Sequence, residues 1–371
     1  MNEHPCRRKN VQLIAIGIIL LIATCIIIIL PILLTKESIQ IETTSLILTS
    51  TRLTTVRTIE HLKNSTVRSW NQYGITIAGG NGQGNESNQL SKPIGIYIDD
   101  NDKNQTIYIA DSGNNRIIQW KSNEKNSRIV AAGGNGINQL SNPTDIVLDK
   151  TNKSLIICDS GNARIVRWSI ENFDNEKVII SNRHCFSLTI DNERYLYVSN
   201  PKENEIRKWA LDDPNNAGIV VAGGNGRGEN DNQLNYPTFI YLDENSSLYI
   251  SDRDNKRIMK WFKNATKGNI VVQHVGNLLW DHLAQPSGII IDRFDQMFTV
   301  DSEKNRVVRW NVDLESNGII VVGFGKGVDI HHLNNPNDMS FDKDDNIYIV
   351  DTDNHRIQKF QNSIEKNVSI E

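Results

Sequence analysis

Apolar residues are laid out along the chain in two unlike ways. Val11 to Leu34 is one run of 24 positions without a charge, long enough to cross a hydrocarbon core of roughly 30 Å as a helix. From about residue 73 onward the apolar positions come in short runs that alternate with polar ones, the period of half-buried strands. Six segments share one layout: an alternating run, a polar turn and a second alternating run, as in IYIADSGNNRIIQW and LYISDRDNKRIMKW. Each predicts a β-hairpin. They end at Trp120, Trp168, Trp209, Trp261, Trp310 and Phe360, spaced 48, 41, 52, 49 and 50 residues apart.

A further strand precedes most hairpins, as in PTDIVLD (143–149) and PTFIYLD (237–243). Another follows, as in RIVAAGG (128–134) and GIVVAGG (218–224). Four strands in about 50 residues make a propeller blade, and the absence of helical periodicity argues against a helical solenoid. The sixth unit has no fourth strand behind Phe360. Residues 73–80, YGITIAGG, are a fourth strand with no blade before them. They are expected to complete blade six and close the ring, which removes the open sheet edges. Val368, Ser369 and Ile370 could compete for that place but lack the AGG ending.

The pattern P-x-G-I-x-x-D, then I-Y-I-A-D-S-x-N-x-R-I-x-x-W, then V-V-A-G-G-N-G resembles the NHL repeat over about residues 73–360. That resemblance implies an all-β, six-bladed propeller. Members of related propellers bind proteins or RNA, or act as metal-dependent lyases and lactonases, so the fold alone leaves function open.

Topology follows from charge. Arg7, Arg8 and Lys9 precede the apolar run, while Lys36 and Glu37 nearly cancel after it. The bias places the N-terminus in the cytoplasm and the rest outside the cell or in a lumen. A cleaved signal peptide would need a shorter apolar region and a small-x-small site, neither of which is present. The expected organisation is a cytoplasmic tail (1–10), a transmembrane helix (11–34), a Ser/Thr-rich stalk (35–72), the propeller (73–361) and a tail (362–371). Sequons at Asn64, Asn85, Asn104, Asn152, Asn245, Asn264 and Asn367 all follow the apolar run, as a glycoprotein of this orientation requires. Net charge is −4, without the basic face that nucleic acid would need.

Comparison of the six units singles out residues. Five hairpin turns carry Asp with Arg five positions on: Asp111/Arg116, Asp159/Arg164, Asp252/Arg257, Asp301/Arg306 and Asp351/Arg356. In the third unit both change, to Asn200 and Glu205. Joint loss points to a structural pair, a carboxylate that accepts turn N–H groups and is clamped by the guanidinium. A ring of acids that binds ligand is the alternative. The recurring terminal aromatics are expected to pack between blades. The Gly-rich connections, such as GGNGRGENDNQLNYP (223–237), lack the Gly-Lys-Ser/Thr of a phosphate loop and read as turns. Cys158 and Cys185 lie beyond the apolar run, at positions the topology could bring together. They form either a disulfide or two small core residues that never meet, and a Cα separation above about 7 Å excludes the bond.

In the enzymes of this fold, metal ligands sit where first strands open into the channel. Here the position two after the strand-opening Pro holds Gly95, Asp145, Ser187, Phe239, Gly288 and Asp338. These residues are expected to line the outward mouth of the channel as a binding site. Two acids and no histidine fall short of a zinc site, so no metal and no cofactor is expected. The face that carries the Gly-rich loops points away from the membrane. The chain reads as a non-enzymatic module that binds a protein, peptide or glycan there, with a calcium- or zinc-dependent lyase or hydrolase as the alternative.

Overall fold

A computed structural model describes residues 68–100, 105–121, 127–132, 139–171, 176–213, 217–273, 283–311 and 318–364. Strands form because their residues alternate or run apolar between turn formers. Four-stranded antiparallel blades result, each a meander from the channel outward. Blade 1 consists of Ile96–Asp99, Thr106–Asp111, Arg116–Lys121 and Arg128–Ala132. Blade 3 consists of Leu188–Ile190, Tyr195–Asn200, Glu205–Ala210 and Ile219–Gly223. Blades 2, 4 and 5 span 143–180, 237–273 and 286–322. Second strands are buried along almost their whole length, because each lies between two neighbouring blades; hence their unbroken apolar runs.

Blade 6 combines Pro336–Phe341, Ile347–Asp351 and Arg356–Phe360 with Ile75–Gly79 as its outermost strand. The N-terminal strand therefore closes the ring. Gly79 shows why that strand ends in glycine. Its φ is +68°, and an added Cβ would sit 2.3 Å from the His355 carbonyl, so a side chain there would force strand and hairpin apart. Gly223 and Gly323 meet the carbonyls of Asn204 and Asn305 in the same way.

The six terminal aromatics fill the wedges between blades. Trp120 packs with Tyr348 and Val350 of blade 6, Trp168 with Tyr108 and Ile117 of blade 1, and Phe360 with Phe298 and Val300 of blade 5. The Asp/Arg pairs are ion pairs within each hairpin, at 2.6–2.7 Å in four blades and 3.3 Å for Asp301/Arg306. Each Asp also accepts a backbone N–H from the preceding connection, such as Ser91 on Asp111 at 2.7 Å. In blades 1, 4 and 6 the Arg donates to three carbonyls of that connection, as Arg257 does to Glu229, Asn230 and Gln233. The pair thus ties a hairpin to a Gly-rich loop.

The five pairs are not equivalent, contrary to the expectation of one repeated device, and two arginines correct it. Arg164 of blade 2 holds Asp159 at 2.6 Å but reaches the carbonyl of Gln139, at 3.2 Å, and turns its other end to Glu176 of its own blade at 2.9 Å. The connection ahead of it is shorter in sequence, GGNGINQLSNP (133–143) against GGNGQGNESNQLSKP (79–93). Arg164 is half-buried, whereas Arg116, Arg257 and Arg356 are buried. Arg306 of blade 5 is buried but meets Asp301 loosely, its Nε at 3.4 Å and an Nη at 3.3 Å. There the Asp301 carboxylate is shared between two backbone donors, Ala284 N at 3.2 Å and Gln285 N at 3.1 Å, and the connection ahead of it lacks the GGNG sequence. In blade 3 Glu205 instead pairs with Arg207 at 2.8 Å, and the connection that would be tied is reduced to residues 181–187.

Connections from first to second and third to fourth strands open on one face, here called lower. Hairpin turns and blade-to-blade connections open on the upper face. Cys158, at the upper end of blade 2, is joined to Cys185, just ahead of blade 3, with Cα atoms 5.8 Å apart. Closing a loop of this length contributes on the order of 3 kcal/mol. Denaturant unfolding with and without reductant should show a loss of that size, and coincident curves would remove the bond from the stability account.

One element goes beyond the expected boundaries. Arg68–Trp70 pairs antiparallel with Asn362–Ile364 on the lower face. Trp70 is buried, its Nε1 donates to the Asp345 carbonyl at 2.8 Å, and its ring meets Phe298 edge-on at 5.4 Å. Arg68 is ion-paired with Asp292 and Asp345 in the turns of blades 5 and 6. The stalk, placed at 35–72, thus ends inside the folded body, and the tail placed at 362–371 begins as a strand. The segment 11–34, most of the stalk and Asn64, Asn104 and Asn367 lie outside the described residues. Among the described residues, no helix is long and apolar enough to cross a membrane.

Candidate functional site in the propeller channel

First strands of successive blades touch all the way round, so the residues at their upper ends ring the axis. Gly95, Asp145, Ser187, Phe239, Gly288 and Asp338 occupy these ends. They do not form the open mouth expected from the sequence: all six are buried. Asp145 and Asp338 are only 5% and 7% exposed. The reason is hydrogen bonding between blades. Asp145 accepts from Leu188 N of blade 3 at 2.7 Å and from its neighbour Ile146 N at 2.8 Å. Asp338 accepts from Ile96 N of blade 1 at 3.0 Å and from Met339 N at 2.8 Å. Ser187 contributes a further bond to Asp145 and receives Ile240 N of blade 4 at 3.4 Å.

The glycines make room for these acids. A Cβ on Gly95 would lie 3.0 Å from Asp145 Oδ1, and one on Gly288 would lie 2.9 Å from Asp338 Oδ1. Phe239 packs edge-on against Phe186 at 5.3 Å. The ring is thus a polar plug with two acids that sense one another. Burial pushes the Asp145 carboxyl up to about 6. Burial, reinforced by the Asp145 charge, holds Asp338 well above the usual carboxylate range.

A carboxyl whose pKa is raised on folding contributes most below its unfolded value near 4, and that contribution fades as pH rises through the folded value. Asp338→Asn removes this dependence. The stability of the parent relative to the variant should therefore grow as pH falls from about 7 to 4. Thermal melts across that range check it, and a constant difference would show that Asp338 does not take up a proton there.

Among the described residues, no group of three or more His, Cys, Asp or Glu is placed to hold a metal ion. The described histidines on the upper face have other partners: His184 faces Lys202, His331 packs on Tyr73, His332 bonds Asp329 and His355 receives Lys92 N. The acids of the Asp/Arg pairs are withdrawn from solvent, each Asp fully buried, so they form no ring of ligand-binding carboxylates. Of the described sequons, Asn152, Asn245 and Asn264 lie on the lower face and Asn85 on the upper. Sequence reasoning missed two features. One is the clamp at Arg68–Trp70. The other is a cleft on the outer rim between blades 3 and 4, lined by Ile219, Val220 and Phe262 among others, whose only signal was a Phe two positions before a sequon.

The family model for the NHL repeat matches residues 333–360, and a model described as a 6-bladed beta-propeller matches residues 91–213. No curated protein sequence matches the chain. Among solved structures, an auxiliary nutrient binding protein from Bacteroides thetaiotaomicron superposes with a TM-score of 0.63 at 14% identity, over 80% of this chain and 77% of its own. A gluconolactonase from Xanthomonas campestris gives 0.54 at 11% identity, over 75% and 88%. A streptogramin B lyase gives 0.54 at 13% identity, over 78% and 98%. At these identities the likeness shows the fold alone.

Proposed function

We propose that this NHL-repeat propeller is a non-enzymatic binding module, anchored in a membrane through residues 11–34, with its upper face turned outward to a protein, peptide or glycan. The observation that carries this reading is where the folded body begins and ends. Arg68–Trp70 and Asn362–Ile364 are held together on the lower face, so the chain leaves the propeller opposite the Gly-rich loops. Three of the four described sequons share the lower face. The upper face remains, with amide-rich loops that the Asp/Arg pairs hold in place in blades 1, 4 and 6. Among the similar structures, those named auxiliary nutrient binding proteins accord with a binding role.

A second reading, a calcium- or zinc-dependent lyase or hydrolase, draws on the buried Asp145/Asp338 pair and on the lactonase and lyase folds. The two acids already receive two backbone N–H groups each, which leaves little of either carboxylate for a metal. The readings separate in one experiment on the full chain in detergent. Arrays of glycans and extracellular peptides should yield a ligand whose binding falls at least tenfold in a Lys202→Glu/Lys256→Glu variant, both side chains being exposed on the upper face. Glu193→Lys and Glu244→Lys on the lower face should leave it unchanged. Micromolar calcium or zinc binding lost in Asp145→Asn would overturn the reading in favour of the second.

A further inference from the structure

Between blades 3 and 4, a cleft of about 620 Å³ runs along the outer rim, from the lower-face turn at 262–266 up the outer strand of blade 3 to Asn225 and Asn232 of the Gly-rich connection. That lies within the roughly 300–1,000 Å³ span of pockets that hold a small ligand. One wall is the outer strand of blade 3, where Ile219 and Val220 are 64% and 37% exposed. The other is the turn at residues 262–266 of blade 4, where Phe262 is 52% exposed. Such a group of apolar side chains on a soluble surface implies something that covers it. The turn itself names an occupant. Its sequence is Phe262-Lys263-Asn264-Ala265-Thr266, a sequon with an aromatic residue two positions ahead.

The geometry brings the parts together. Ala265 N donates to Phe262 O at 3.0 Å, and Asn264 takes a φ of +64°. This tight turn places Phe262, Asn264 and Thr266 along one wall of the cleft. Lys263 pairs with Glu193 of blade 3 across the gap at 3.3 Å. A pyranose has one face of C–H groups that stacks on an aromatic ring and edges of hydroxyl and amide groups that need polar partners. Phe262, Ile219 and Val220 offer the first surface; Asn225, Asn232 and Lys208 offer the second. The other described sequons lack this arrangement, having Gln83, Lys150 and Asp243 two positions before Asn85, Asn152 and Asn245.

We propose that Asn264 carries an N-linked glycan whose first sugars lie in this cleft, stacked on Phe262, so that the glycan is a packed part of the propeller. The proposal rests on the orientation that exposes the domain to the lumen. Glycopeptide mass spectrometry of the full chain from secretory eukaryotic cells tests it. Asn264 should be occupied in most molecules, and enzymatic removal of glycans should lower the melting temperature by about 2–4 °C. Phe262→Ala should reduce occupancy at Asn264 several-fold and abolish the melting difference. After glycan removal, parent and variant should melt together. Glycans elsewhere with Asn264 bare would overturn the site. Full occupancy with a melting difference unchanged in Phe262→Ala would overturn the packing. Bare asparagines at every sequon would overturn both the orientation and the proposal.

Discussion

Removal of residues 68–80 should leave the propeller without a cooperative native state. The deletion takes away the outer strand of blade 6, Ile75–Gly79, with its pairing to Arg356–Phe360. It also removes the clamp strand and Trp70. Truncation of a buried aromatic to alanine costs about 3–5 kcal/mol, so Trp70→Ala alone would consume a large part of the roughly 5–15 kcal/mol that holds a typical domain. Arg68 adds to the effect, because its loss takes the guanidinium from the buried Asp292 carboxylate, while Asp345 keeps Arg293 at 2.6 Å. Deletion of 362–371 should cost less, since the only described strand it removes is Asn362–Ile364, but the loss should be measurable. Thermal melts followed by circular dichroism give the ranking. Equal losses in the two deletions would show that the closing strand is not the latch.

Asp252→Ala should destabilise the protein by about 3–5 kcal/mol, the cost of stranding a buried partner. Arg257 is 1% exposed, and its Nε lies 2.6 Å from the Asp252 carboxylate. The cause extends beyond the ion pair. Asp252 also holds Asn235 N and the Asn255 side chain, and Arg257 holds three loop carbonyls. A double replacement, Asp252→Ala/Arg257→Met, should therefore fail to recover stability, because those carbonyls and the Asn235 N–H lose their partners. An isolated ion pair would behave otherwise, and recovery in the double variant would reduce the knot to one. Asn200→Ala in blade 3 should cost far less, since Asn200 accepts from Lys202 N and Glu203 N of its own turn and ties no loop.

What could be read from the sequence was whatever repeats. Strand count, the closing role of residues 73–80, the Asp/Arg pairs and the interblade aromatics all recur at a fixed register, so each copy supports the others. Recurrence also misled, because it made the five pairs look alike. Arg164 shares the motif with the rest, but it turns its other end to Glu176 of its own blade, and Arg306 meets its Asp at a longer distance than the others do. The clamp was hidden because RSW and NSI are three residues each and occur once, too short for alternation to register. Trp70 looked like the end of a polar stalk. At the channel, the positions were legible but their state was not. Whether Asp145 is open or closed depends on Leu188 N, 43 residues away in the next blade, and no local pattern carries that bond. The coincidence of Phe262 with a sequon was visible, yet its meaning depends on the facing wall at Ile219 and Val220, supplied by another blade.

The closing strand also sets a clock on biosynthesis. Thr76 and Gln358, partners across the closure, are 282 residues apart in the chain. At about 5–20 residues per second of synthesis, the first strand made waits roughly 15–55 s for the last one to appear. Through that interval blades 1 to 5 can form one after another, each on local hairpins, while the edges that flank the gap remain unpaired. A newborn propeller is therefore an open arc whose two ends invite wrong partners, including the ends of a neighbouring copy. Tethering the early strand near the site of synthesis would raise the chance that it meets its own blade six first.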